Sequence, residues 1–340
     1  MAKPAARVHL SWPGLLGPVP SDAIGLVDSD AELDRLAGLL AKGRPGRPAH
    51  EMPQGFRLSD GGTELPAGPL GLLGAGGDPG DNYWFRADPV HFVADRDRLR
   101  VVGPDALDVT VDEADALVAA FNDFYRDDGL ELLAPRPDVW YLRCAEVPRL
   151  ATTPLEQARE APVDESLPQG ADAPQWRARL NETQMLLHGH TVNQEREARG
   201  QPTINGIWPW GGGRLPRVTT DWDRVLGDDT LLLGLARAAG AATGDSPGDP
   251  AAVVASGEAV LVASRTIPTV RDQETFLAWQ QAVTQLAAAW AQPLAAGLRS
   301  GALRELVVDA GSGGQRRVRP GSLFAFWRRP RAFAHLLATS

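Results

Sequence analysis

Cysteine is almost absent from the 340 residues, with Cys144 alone. A single thiol excludes an internal disulfide and any cysteine-cluster metal site, and it fits a reducing compartment, with the cytoplasm as the expectation. Long apolar runs are missing as well. The opening MAKPAARVHLSWPG holds no stretch long enough for a secretory leader. No later segment reaches the ~20 apolar residues of a spanning helix, so a soluble protein without a membrane partner is expected. Positive charge is in deficit: a net charge of −9 and a pI near 5.2 argue against a nucleic-acid binder working by bulk electrostatics. There is no internal repeat, and the 36 glycines and 28 prolines are spread between periodic segments, as in a loop-rich globular fold. This length allows one large α/β domain or a core carrying a smaller insert.

What is present alternates between strand and helix patterns. Arg7 to Leu10 reads as a strand ended by the turn Trp12-Pro13-Gly14. Ser29 and Glu32 have the form of a capping box, and Leu33, Leu36, Ala37 and Leu40 follow at helical spacing up to Gly43. Arg44 to Pro79, rich in proline and glycine, reads mostly as loop around one apolar run, Pro69 to Leu73. Trp84 to Val93 and Arg98 to Val102 predict an antiparallel pair. Thr110 and Glu113 predict a capped helix with Ala114, Leu117, Val118, Phe121, Phe124 and Tyr125 on one stripe. Glu131 to Ala134 and Trp140 to Cys144 add two strands, which makes this stretch an α+β unit of its own. Beyond it, Asp228 to Ala239 predicts a helix, Ala259 to Ala263 a buried strand, Phe276 to Leu298 a long helix with Pro293 as a potential kink, and Leu303 to Val308 a last strand. Such alternation favours a mostly parallel sheet with helices on both faces.

The densest polar stretch is His188 to Gly213. His188 and His190 stand two apart, about 200° around a helix, and cannot share a metal; hydrogen bonding at a helix end is the simpler reading. Arg196 and Arg199, three apart, suit either one anion or surface pairing with Glu195 or Glu197. Gly211 to Gly213 lacks the lysine and hydroxyl of a phosphate loop and reads as a tight turn, while Trp208 and Trp210 read as core. Arg86 with Asp81 fits an anion wall or a structural ion pair equally. The tail Arg316 to Arg331 is basic and interleaved with Phe324, Phe326 and Trp327; it suits a protein or nucleic-acid partner, or, as aromatic residues at that spacing more often do, a terminus pinned to the body.

Several ordered segments resemble the archaeal-type, cofactor-independent phosphoglycerate mutases of the alkaline phosphatase superfamily. His190, Val192, Asn193, Arg196, Gly200, Asn205, Trp208 and Gly211 to Gly213 follow that family's H-P-V-N-x-x-R pattern and what comes after it, with Thr191 in place of proline. Thr152-Thr153-Pro154, Leu167-Pro168-Gln169-Gly170, and Gly80-Asp81 with Arg86 and His91-Phe92 resemble further motifs. The whole chain is also similar to bacterial proteins described as RpfE-type regulatory proteins.

The resemblance implies an alkaline-phosphatase-like α/β core from residues 1–81 and 205–340, with the basic aromatic tail at its end and an α+β insert over 82–204. It also implies a site whose metals and nucleophile should lie at the strand ends. There the chain departs from the pattern. Pro13 precedes Gly14 where the family has an aspartate, ELPAGPLGLLG has no serine or threonine, Thr266 to Asp272 has no histidine, and Asp309-Ala310-Gly311-Ser312 keeps only the aspartate. The expectation is therefore a catalytically degenerate mutase-like protein, regulatory or anion-binding, with no cofactor. Arg86, Asn193, Arg196, Arg199 and Asn205 would hold a small phosphorylated or carboxylated ligand. The alternative is an active mutase or phosphatase using Mn, Mg or Zn on rearranged ligands such as Asp22, Asp28, His9, His91, Asp272 and Asp309. A third reading is an assembly protein acting through the arginine tail.

Overall fold

The computed structural model describes residues 4–28, 30–46, 52–59, 64–95, 98–159, 162–311, 314–324 and 332–337. In chain order it begins β1 (Ala6–Ser11), α1 (Ala31–Lys42), β2 (Arg44–Gly46), β3 (Phe56–Leu58), α2 (Ala67–Gly74), β4 (Tyr83–Asp95), β5 (Arg98–Val102), α3 (Val111–Phe124), β6 (Leu130–Arg136) and β7 (Val139–Cys144). Then come α4 (Leu155–Ala158), α5 (Val163–Ser166), α6 (Ala173–His188), α7 (Thr191–Ala198), β8 (Gly206–Gly213), β9 (Val218–Thr220), β10 (Arg224–Gly227) and α8 (Thr230–Ala238). The chain closes with β11 (Ala242–Gly244), α9 (Pro250–Val254), β12 (Ala259–Ala263), α10 (Gln273–Ser300), β13 (Leu303–Asp309), β14 (Gln315–Val318) and α11 (Phe333–Leu337). Contact density divides it into Met1–Arg57 with Val218–Ser340, and Leu58–Arg217. The second unit is thus wider at both ends than 82–204, because α2 and β8 both pack on β4.

The first unit is built on a seven-stranded sheet in the order β11-β10-β12-β1-β13-β14-β2. β11, β10, β12, β1 and β13 run parallel, since helices carry the chain back between them, and β14 and β2 close one edge antiparallel. Period-two alternation sorts β1. Val8 and Leu10 enter a core with Val260, Val262, Leu306 and Val308 and with the buried stripes of α1 and α10. Arg7, His9 and Ser11 point the other way. Leu231 and Leu232, at the start of α8, share a hollow with His9 and Leu261, so helices cover both faces as expected. In α10, which runs on through Pro293, Trp279, Val283, Trp290, Leu294 and Leu298 are buried on the predicted stripe.

In the second unit β5, β4, β7 and β6 pair in that order, all antiparallel, and β8 also pairs with β4. Phe85, Trp140 and Leu142 pack against Leu117, Phe121, Trp176 and Leu187 of α3 and α6. Trp84 and Tyr141 pack with Leu72 of α2. Burial pushes the Cys144 thiol up to about 12, so it stays protonated and inert.

Two sequence expectations need correction. The stretch Arg44 to Pro79, read as mostly loop around the apolar run Pro69 to Leu73, also contains the short strands β2 and β3, and the apolar run is the helix α2. Its glycines read as punctuation, yet in α2 they permit close packing: a Cβ on Gly68 would lie 2.3 Å from the Trp84 carbonyl oxygen, and one on Gly71 2.6 Å from the Tyr141 hydroxyl. The helix cap of α1 is Asp30, whose carboxylate accepts from the amides of Glu32 and Leu33; Ser29 lies outside the described residues. The Thr110–Glu113 capping box forms as predicted.

Gly227 ends β10 at φ +129°, and a Cβ there would lie 1.7 Å from the Ala263 carbonyl oxygen. Gly227→Ala should therefore lower the stability by well over the ~1 kcal/mol that a left-handed backbone alone costs. Gly240→Ala, at φ +74° with open space around it, should cost only about that 1 kcal/mol, and urea unfolding of both variants checks the contrast.

Candidate functional site

The residues that sequence singled out in the second unit are bonded to the unit itself. Arg196, fully buried, donates from Nη1 to Glu113 Oε2 at 2.7 Å, from Nε to the Pro202 carbonyl at 2.7 Å, and from Nη2 to the Leu107 carbonyl. Arg199 donates to the other oxygen of Glu113 at 2.7 Å and keeps half of its side chain exposed. One carboxylate thus caps α3 and neutralises both arginines. Asn193 donates to the carbonyls of Leu187 (2.7 Å) and Ile204 (2.9 Å) and accepts from the Ile204 amide (2.7 Å). Asn205 makes a mirrored pair with the Phe92 backbone, accepting at 2.7 Å and donating at 3.0 Å.

Arg86 lies elsewhere in the unit, paired with Asp88 at 2.6 Å and placed over the Tyr141 ring. Burial pulls its pKa down, but the carboxylate of Asp88 prevails and raises it. Its partner is therefore Asp88; Asp81 supplies only a backbone carbonyl, to Arg214. Trp210 donates to the second oxygen of Asp88, and Trp208 donates to the Thr153 carbonyl, which gives the Thr-Thr-Pro segment a structural role. His190 caps α7 by accepting from the Val192 amide. Gly211 to Gly213 belong to the end of β8 and not to a tight turn, since side chains there would run into Ala67, Phe85 and Pro66. The structure thus brings Arg196 and Arg199 together on Glu113, and sets Arg86 apart.

The first unit holds a different arrangement. Strand register puts His9 beside Val307, Val307 beside Arg317 and Arg317 beside Arg44; one step on, Ser11, Asp309, Gln315 and Gly46 line up in the same way. These two rows form a polar strip across the sheet face that bears α8. Over its edge lies a hollow of about 660 Å3 walled by Arg44, Gln54, Gln315, Arg317, Arg319 and Ser322. Arg319 is held by Glu305 at 2.8 Å, whereas Arg44 and Arg317 meet no carboxylate among the described residues. A smaller hollow of about 170 Å3 lies farther along the strip and is walled by His9, Ser11, Gln54, Asp229 and Asp309, so Gln54 borders both.

His9 is 3% exposed, stands edge-on to Trp222, and leaves its Nδ1 without a partner. Burial first, then the charges of Arg7 and Arg317, lower its pKa to about 3. The imidazole is therefore neutral beside an electropositive edge. Asp229 caps α8 by accepting from the amides of Leu231 and Leu232, and Asp309 accepts from the Gly311 amide.

Of the alternative metal ligands, only His9 and Asp309 share a hollow. Asp272 caps α10, Asp28 bonds to Gln280, His91 bonds to Thr203, and Asp22 is an exposed turn residue. Among the described residues no three histidine, cysteine or acidic side chains stand close enough to hold one metal ion, so this donor set does not fit a two-metal phosphoryl-transfer site. Sequence reasoning overlooked Arg44 and Arg317 as a pair. The alternation Gln315, Arg317, Arg319 was a usable signal, but Arg317 was read as tail and Arg44 as loop.

The chain is thus an α/β protein with a mostly parallel sheet and a separate α+β unit. No family model matches it. It is 31% identical over 67 residues to a 2,3-bisphosphoglycerate-independent phosphoglycerate mutase of Methanosarcina mazei, covering 20% of this chain and only 17% of that protein. The cofactor-independent phosphoglycerate mutase of Thermoplasma acidophilum matches structurally with a TM-score of 0.41 and 14% identity, over 92% of this chain and 89% of that one. The PH0037 protein of Pyrococcus horikoshii gives 0.46 and 15%, over 90% and 81%. The similarity to phosphoglycerate mutases is weak. No described helix is long and apolar enough to cross a membrane.

Arg196→Ala should destabilise the protein by about 3–5 kcal/mol, because it empties a buried site and leaves the Glu113 carboxylate with only the half-exposed Arg199 as counterion, whereas Arg199→Ala should cost under about 1 kcal/mol; chemical denaturation separates the two. His9 yields a pH prediction. Unfolded it titrates near 6.5, and folded it stays neutral down to about 3. As pH falls through that window the unfolded chain takes up a proton that the folded chain refuses. Stability from this residue is therefore intact above 6.5 and lost below it, by about 1.4 kcal/mol per pH unit. His9→Leu should flatten the fall of the urea midpoint between pH 6 and pH 4.

Proposed function

We propose that this chain is a catalytically degenerate mutase-like protein that binds a small phosphorylated or carboxylated ligand and acts as a regulator in the cytoplasm. The observation that carries the reading is the pair Arg44 and Arg317, set in a hollow of about 660 Å3 on a chain of net charge −9. Guanidinium groups without carboxylate partners in a concave wall suit bidentate capture of phosphate or carboxylate. The residues first expected to hold the ligand, Arg86, Asn193, Arg196, Arg199 and Asn205, spend their polar atoms on their own unit, so the binding role passes to the sheet edge. Catalytic degeneracy is supported by the segment where a nucleophile is expected. It is the helix α2, whose sequence AGPLGLLG offers no hydroxyl, thiol or carboxylate.

The purified chain, incubated with Mn, Mg or Zn and desalted, should retain well under one metal per molecule by elemental analysis and should turn over neither phosphoglycerate nor p-nitrophenyl phosphate. Inorganic phosphate or pyrophosphate should raise its melting temperature, and Arg44→Gln should diminish that rise. Stoichiometric metal together with turnover would establish the enzyme alternative in its place.

A further inference from the structure

The two hollows on the polar strip differ in charge, and that difference specifies a ligand more closely than anion binding alone. At one end stand Arg44 and Arg317; at the other stand the carboxylates of Asp229 and Asp309, with Ser11 and the buried His9 in the same wall. Gln54, whose side-chain oxygen accepts from Gln315 at 3.3 Å, borders both. Asp309 pairs with Gln315, and Arg317 lies two residues beyond Gln315 on β14. Strands about 4.8 Å apart with a rise of about 3.3 Å per residue then put the arginine and aspartate backbones roughly 8 Å from one another.

A second anionic group at the aspartate end would be repelled. Hydroxyl groups would not be, because ionised carboxylates accept hydrogen bonds and Ser11 can both donate and accept. The His9 imidazole is neutral, so it neither attracts nor repels such a ligand.

Building on the anion-binding reading above, we infer that the strip binds a five- or six-carbon sugar or polyol monophosphate, with the phosphate on Arg44 and Arg317 and the distal hydroxyls on Asp309 and Asp229. A three-carbon ester is too short to engage both ends, and inorganic phosphate reaches only one.

Isothermal titration of the full chain with glucose 6-phosphate, ribose 5-phosphate, glycerol 3-phosphate, inorganic phosphate and glucose tests this. The hexose and pentose phosphates should bind at least tenfold tighter than glycerol 3-phosphate or inorganic phosphate. Arg44→Gln, at the exposed edge strand, should weaken every phosphate ligand severalfold. Asp309→Asn, which keeps an acceptor for the Gly311 amide, should weaken the sugar phosphates while leaving inorganic phosphate unchanged or tighter. If sugar phosphates bind no tighter than inorganic phosphate, the inference is overturned and the anion-binding reading stands. If none of the phosphates binds, both are overturned.

Discussion

A guanidinium taken wholly out of water must have a counterion and a partner for its donors, and Arg196 meets this demand by drawing together three parts of its unit that are far apart in sequence. Its bonds reach Glu113 on α3, the Leu107 carbonyl that precedes α3 and the Pro202 carbonyl that leads into β8. Glu113 answers it while also capping α3 and pairing with Arg199. Removing Glu113 would leave the buried Arg196 without a counterion, which is far costlier than never having buried the pair. The segment that most resembles the mutases is therefore a folding device in this chain: His190 caps a helix, and Asn193 and Asn205 pin the chain on either side of Ile204.

The first unit is organised by parity. Alternate residues of β1 separate a dry face, packed under α1 and α10, from a face that carries Arg7, His9 and Ser11. Because β13, β14 and β2 follow it in register across the sheet, the polar positions fall into rows, and one row ends in Arg317 and Arg44. His9 stays neutral because burial and two nearby arginine charges all disfavour its proton.

Much of the fold was legible in the sequence. The stripe of α10, the capping box of α3, the strand Ala259–Ala263 and the pairing of β4 with β5 follow from periodicity and local chemistry. α2 was not legible, because glycines that break a helix in water also let a buried helix approach a strand, and only the neighbours Trp84 and Tyr141 distinguish the two cases. The site was less legible than the fold. Arg196 was singled out correctly as unusual, but a partner 83 positions away decides whether such an arginine faces a ligand or a carboxylate. Arg328, Arg329 and Arg331 of the arginine tail, with Phe326 and Trp327, lie outside the described residues.

By itself the sequence determined which residues are apolar at which period and where helices start. These are properties of neighbours along the chain, and local sterics and hydrogen bonding enforce them. Tertiary structure alone decided that Glu113 would serve two arginines, and that Arg44 and Arg317, remote in sequence, would stand side by side on paired strands. Strand order and register arise from how the helices and strands pack together, so the same arginines become surface ornament, structural ties or a binding edge according to which strand lies next to theirs.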